Sequence, residues 1–393
     1  MINKSNYIIL FLLLTMTNVT AQNTFSNEMT YKLAFPFHIE IDPMEKLLLV
    51  NFEKDPDTIY VGFEPQVFND SINGTGHLII GWRKDKKIDV YHQPSLSLNS
   101  NKYSIAGSGL NQMIKVRMDV ASFEIDQFGV QAHYEFKDIL GRDVIIKINE
   151  KNKGKRKPFG ILAPMGDAAL NPSAMPLVLL HDFYFVRQKD TEIKVSIDNI
   201  THQVDKLPIN MDFQKMTFIR YSPKPLIATF NPAINRTLEE LVINKGKSIA
   251  KDNNNLFELE WKNGQPFVKS MEVKSQIHSL KISFTPSLPC LNSIGSNQKH
   301  FGEFKISGHQ SVGSISGSYI VQSDTNSVNI KLEPNKGWKP KYTKLSTWFL
   351  FNVAKIFKKW STTYEWNASL KKNDDVQWHM QSNWKRTGKI AKD

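Results

Sequence analysis

Disulfides cannot hold this chain together, because it contains a single cysteine, Cys290, among 393 residues. Small exported folds lean on disulfides when their cores are too small to stand alone. A chain of this length buries enough surface to do without them. A lone thiol between Pro289 and Leu291, with no histidine beside it, is expected to be buried and inert. Long hydrophobic runs are equally scarce. The N-terminal one, residues 7–14, is far shorter than the ~20 residues a membrane-spanning helix needs. Spaced glycines for phosphates or dinucleotides, H-E-x-x-H and paired Cys/His spacings are all missing. Gly313-Ser-Ile-Ser-Gly317 carries Ile315 where a serine-hydrolase elbow needs its nucleophile. No cofactor or metal is therefore expected, although His278, His300 and His309 lie near one another in sequence.

What is present begins with an export signal. Lys4, the apolar run and the small residues Val19 and Ala21 before Gln22 have the form of a cleavable leader over residues 1–21. The mature chain is expected to be water-soluble, in a periplasm or an extracellular medium. The protein carries 50 basic and 38 acidic residues, a formal net charge of +12. From residue 335 to 393 there are 13 Lys or Arg against 4 acids, so this stretch holds most of the excess. An anionic partner would be sought there. Nucleic acid is not expected, since no nucleic-acid-binding motif accompanies the charge.

Alternation of apolar and polar residues dominates the chain, as in strands with one buried face. Val130-Gln-Ala-His-Tyr-Glu-Phe136 and Asp143-Val-Ile-Ile-Lys-Ile148 flank a turn-like spacer and read as a hairpin. The segments 256–261 and 266–273 form another around Asn263-Gly264, a pair suited to the positive φ angles of a tight turn. About twenty strands at such spacing indicate a mainly β protein of large antiparallel sandwich- or barrel-like lobes. Two short helices are expected. One is signalled by the capping-box pattern Thr237-Leu-Glu-Glu240. The other spans 345–360, where Leu345, Trp348, Phe349, Val353, Ile356, Phe357 and Trp360 form an amphipathic stripe. Many strands followed by a late amphipathic helix resemble lipocalin-like barrels, a likeness of fold that implies no function. The basic stretch 151–157 suggests a boundary between an N-terminal lobe, 22–157, and a C-terminal lobe, 158–393.

Candidate site residues are polar intruders in apolar strands. In Pro176-Leu-Val-Leu-Leu-His-Asp-Phe-Tyr-Phe-Val-Arg187, His181 and Asp182 interrupt a hydrophobic run, and Arg187 is expected on the His181 face. Arg220 and Tyr221 in Thr217-Phe-Ile-Arg-Tyr-Ser222 are possible cross-strand partners, with Asp167 and Asn171 in the loop above. Such groups could form an acid–base pocket for an anionic substrate. They could equally be a buried network whose members satisfy one another, which is the commoner arrangement. Trp366, Trp378 and Trp384 are candidate ligand-stacking residues, because six of the eight tryptophans fall between 338 and 384 among the excess lysines.

The leading expectation is a protein that binds a small apolar or anionic ligand such as a lipid, pigment or glycan. A lyase, isomerase or hydratase using His181, Asp182, Arg187, Arg220, Tyr221 and Asp167 is the alternative, and a structural or adhesive surface protein the third. The 345–360 stripe is expected to pack into the core; its other use would be to rest on a membrane surface without crossing it.

Overall fold

The computed structural model describes residues 29–104, 108–154, 157–164, 172, 174–252, 255–275, 279–342, 344–353, 362–373 and 375–387. The leader, Asp167, Asn171, His278 and the 356–360 part of the amphipathic stripe lie outside them. Among the described residues there are 27 strands, one α-helix (Leu345–Asn352) and three short 3-10 turns, so the protein is mainly β, in several antiparallel sheets. Both hairpins anticipated from the sequence form. Val130–Lys137 pairs with Asp143–Glu150, and Asn255–Lys262 pairs with Gln265–Lys274. The second turns through Asn263 and Gly264, both at positive φ (50° and 75°).

The central sheet runs, edge to edge, through Ile39–Pro43, Pro225–Phe230, Met175–Arg187, Met216–Ser222, Lys46–Asn51, Tyr60–Asp70, Gly74–Arg83, Ile88–His92 and Leu110–Lys115. Phe159–Pro164 joins it on Met175–Arg187. Its two faces feed two separate cores. Leu47, Leu78, Ile80 and Phe185 point to the first, which is shared with a ten-stranded sheet built from residues 235–386. Leu48, Ile79, Val186 and Tyr221 point to the second, shared with the five-stranded sheet that contains Val130–Lys137 and Asp143–Glu150. This three-layer arrangement explains a contrast in the sequence. The outer sheets, covered on one side only, alternate strictly, as in the burial of every second residue of Tyr364–Lys372. The middle sheet, covered on both, reads as near-continuous runs such as Lys-Leu-Leu-Leu-Val-Asn over Lys46–Asn51.

The ten-stranded sheet is a meander, with Ile249–Asp252 at one edge and Asn235–Thr237 at the other. Its inner face is filled by aromatics. Phe37 enters from the N-terminal segment, stacked on Phe284 at 5.2 Å and tilted against Trp366 at 5.4 Å. Phe230 meets Trp384 at 6.2 Å.

Two helical expectations change. Residues 237–240 are not a helix: Asn235–Thr237 and Glu240–Asn244 are strands, the latter paired with Thr30–Ala34. A segment this short cannot support an isolated helix, and the β-branched Val242 and Ile243 find a partner strand instead. The helix Leu345–Asn352 does form, but with its faces reversed from the expected core packing. Thr347, Leu350 and Phe351 are buried, with Phe351 edge-on to Trp338 at 4.9 Å. Leu345, Trp348, Phe349 and Val353, the described part of the anticipated core stripe, face outward. Phe159 and Trp338 offer Phe351 an aromatic seat, which decides the rotation of the helix.

At one end of the second core lies an ion pair that no water reaches. Glu150 and Arg187 side chains are fully buried, with Arg187 Nε 3.3 Å from Glu150 Oε1. Glu150 also accepts from the backbone N–H groups of Arg187 (3.1 Å) and Val130 (3.0 Å). The guanidinium donates to Asn152 Oδ1, Gly154 O, Phe128 O and Asn152 O at 2.5–3.0 Å. Every arm of the fork is used, so charge burial is compensated by geometry. Arg187→Leu strands a buried carboxylate, and urea unfolding should show a loss of about 3–5 kcal/mol. Pairing it with Glu150→Leu should recover a large part of that loss; no recovery would show that the packing, not the charge, is what matters.

Candidate functional site

The two segments singled out from the sequence are adjacent. Tyr184 pairs with Tyr221 and Phe185 with Arg220 across neighbouring strands. Their side chains nevertheless divide between the cores. Tyr221 is buried in the second, its ring stacked on Tyr184 at 5.2 Å. Arg220 lies toward the first, its guanidinium 4.1 Å from the Phe218 ring and bonded to Asn51 Oδ1. Arg187, expected on the His181 face, turns to Glu150 in the second core because the pairing slips between Phe185 and Arg187. His181 and Asp182 occupy the middle of Met175–Arg187, and Asp182 is half-buried. Among the described residues, Asp182 makes no ion pair with Arg187 or Arg220. The three tryptophans are all core residues: Trp366, Trp378 and Trp384 face the interior, and Trp384 Nε1 donates to Asn231 O at 2.8 Å.

Near Arg220 stands a carboxylate that the sequence reading passed over. Glu64, on Tyr60–Asp70, is buried, and accepts from Gln66 Nε2 (2.8 Å) and Trp82 Nε1 (3.0 Å). Burial pushes its carboxyl up to about 7, against those two hydrogen bonds and the pull of Arg220. Burial likewise draws the Arg220 guanidinium down to about 10, opposed by Glu64, Glu53 and Asp205. Arg220 Nε has no hydrogen-bond partner among the described residues. The signal was present in the sequence: Glu64 and Gln66 share one face of the otherwise apolar Tyr60-Val-Gly-Phe-Glu-Pro-Gln-Val-Phe68.

A concavity lies elsewhere, on the outer face of the ten-stranded sheet. It is a groove of about 660 Å³, within the range of small-molecule sites. Register explains its lining. One row runs Phe301, Ile320, Lys331, Asn367, Asn383 across five consecutive strands. The next runs Lys299, Gln322, Asn329, Ser369, Gln381. Side chains directly opposite on neighbouring strands stand about 5 Å apart, so the rows form a lattice of amides. Gln322, Asn329, Gln381 and Asn383 make no side-chain hydrogen bond among the described residues and are free to donate and accept. Lys331 is held between Glu333 (2.7 Å) and Glu365 (3.0 Å), whose hydrogen bonds raise its pKa. Lys299 has no ion-pair partner among the described residues and supplies an uncompensated charge. Phe301, 71 % exposed, offers an aromatic face beside Ile320.

No family model, curated protein or solved structure matches this chain. Cys290 is not part of the site, since burial pushes its thiol up to about 12, far from a nucleophilic thiolate at neutral pH.

Glu64 makes stability depend on pH. Its folded-state value lies above the ordinary 4.5, so its contribution is complete below that pH and is lost as pH rises through about 7. Glu64→Gln should remove this slope. Urea unfolding between about pH 5 and pH 8 should show the wild type losing up to about 3 kcal/mol more than the variant. Parallel pH profiles would mean that Glu64 stays ionised in the folded protein.

Proposed function

We propose that this protein binds a hydroxyl-rich, acidic carbohydrate in the groove on the outer face of its ten-stranded sheet. The observation carrying the reading is a cluster of unpartnered amides on adjoining strands, Gln322, Asn329 and Gln381 in one row with Asn383 in the next. Amides donate and accept at once, which suits the adjacent hydroxyls of a sugar ring. A carboxylate or sulfate on the ligand would meet Lys299, and Phe301 would take the apolar face of a ring. An apolar ligand fits less well, because the aromatic side of the same sheet is already packed with Phe37, Phe230 and Phe284.

Calorimetry against a panel of uronate-containing, sulfated and neutral oligosaccharides tests the reading. Gln381→Ala with Asn383→Ala should weaken any ligand by roughly tenfold or more, since each lost hydrogen bond is worth about 1 kcal/mol. Lys299→Ala should weaken acidic ligands alone and reduce their salt dependence. Lack of binding across the panel, or affinities indifferent to these substitutions, would refute it.

A second reading, proton-transfer catalysis of the lyase, isomerase or hydratase type, is favoured by one feature: the buried Glu64 carboxyl, held by Gln66 and Trp82, which burial pushes up to about 7. Exchange of activated C–H protons of small carboxylic acids into deuterated water, followed by NMR, tests it. Glu64→Gln should slow such exchange by about 10²-fold or more, as removal of a general base does.

A further inference from the structure

The outward stripe of the helix has a neighbour that shares its character. At the turn between Met211 and Gln214 the backbone closes a two-residue hairpin, with Met211 N donating to Gln214 O (3.0 Å) and the reverse bond at 2.9 Å. Its central residues, Asp212 and Phe213, both have positive φ, 49° and 61°. That turn prefers Asn and Gly. A bulky aromatic in the left-handed region is strained. Phe213 occupies it all the same, and its side chain projects fully into solvent at 103 % exposure.

One cation fastens this turn to the helix. Lys344, immediately before the helix, donates to Asp212 at 3.1 and 3.0 Å and to the carbonyl of Lys157 at 2.9 Å. Phe213 follows Asp212 and Leu345 follows Lys344, so two exposed apolar side chains flank a single ion pair. Leu345 is 87 % exposed, and Trp348, Phe349 and Val353 continue the stripe at 48 %, 39 % and 49 %. The basic loop lies beside the same turn, because Gly154 rests against Gln214 Nε2. Lys157, whose carbonyl Lys344 grips, and Lys341 ahead of the helix are exposed and form no ion pair among the described residues. Lys344 is the member whose charge is consumed internally.

Exposed apolar side chains with the unpaired Lys157 and Lys341 close by match the surface of an anionic bilayer. Phe213 and Leu345, at 103 % and 87 % exposure, are available to enter a headgroup layer. We propose that this face docks on an anionic phospholipid surface, with Phe213 and the helix residues Leu345, Trp348, Phe349 and Val353 entering the headgroup boundary while the lysines face the lipid charges. Two weak contributions, apolar insertion and electrostatic attraction, together give stable attachment where neither alone does. The attachment is peripheral and is independent of the carbohydrate groove.

Vesicle co-sedimentation of the full chain tests this. Binding should occur on phosphatidylcholine vesicles containing phosphatidylglycerol, and fall by roughly tenfold or more on phosphatidylcholine alone or at about 0.5 M salt. Leu345→Ser with Trp348→Ser should cost a similar factor through lost apolar insertion. Phe213→Gly is the sharper probe. It relieves a strained backbone, so Tm should hold or rise, while vesicle affinity falls. Lys299→Ala, in the groove, should leave vesicle binding unchanged. No wild-type binding to anionic vesicles overturns the proposal. So does binding untouched by the Phe213 and Leu345/Trp348 variants. A concentration-dependent dimer in sedimentation velocity that Trp348→Ser abolishes would overturn it too, since the face would then cover a second copy.

Discussion

A sheet covered on both sides leaves its polar side chains nowhere to go except to one another. That constraint governs the interior of this protein. Each polar group inside the central sheet carries a price in desolvation that only a specific partner offsets. The partners are visible: Glu150 with Arg187, Glu64 with Gln66 and Trp82, and Asp89 with Tyr60 (3.0 Å), Arg83 (2.9 Å) and Asn111 (2.6 Å). These networks specify how the layers meet, because a slip of one residue would expose every one of them to an apolar face. They also bind most interior chemistry into structural roles. Burial shifts two of them against their usual charge, Glu64 upward and the neighbouring Arg220 downward.

Groups free to meet a ligand therefore sit on the solvent faces of the outer layers. The ten-stranded sheet combines both requirements. Its tryptophans and phenylalanines fix the strands from inside, and the opposite face of the same strands presents its amides at spacings the backbone dictates. Side chains on a packed sheet are placed more rigidly than side chains on loops. The same residue run thus serves twice: Trp366 and Trp384 inward, Asn367 and Asn383 outward.

The outer sheets were legible in the sequence, because a face that meets water imposes a period of two. Val130–Lys137 and Tyr364–Lys372 announce themselves in this way. The central sheet was legible only as apolar runs, which say that a strand is buried without saying against what. Arg187 was placed on the wrong face for a local reason: a slip in pairing after Phe185 is invisible to simple alternation. The helix shows the opposite limit. Its stripe of Leu345, Trp348, Phe349 and Val353 is plain in the sequence, yet periodicity does not tell which side of a helix meets the body, and Phe351 settled the matter by packing on Trp338. Glu64 carried the same kind of signal as His181 and Asp182, a polar residue in an apolar strand. The groove depends on register between five strands, which no local pattern encodes.

The ends of the ten-stranded sheet carry a consequence for behaviour at high concentration. Strand edges invite other chains to add on, and long, flat, greasy edges are the usual seeds of aggregation. Here the two flanking strands, Asn235–Thr237 and Ile249–Asp252, are three and four residues long. Between them the chain leaves the sheet to pair Glu240–Asn244 with Thr30–Ala34, occupying backbone groups that would otherwise stand open. At both ends, then, a foreign strand first meets a brief segment, Asn235–Thr237 lying over His379–Gln381 and Ile249–Asp252 over Asn255–Glu258, too short to template a long added strand.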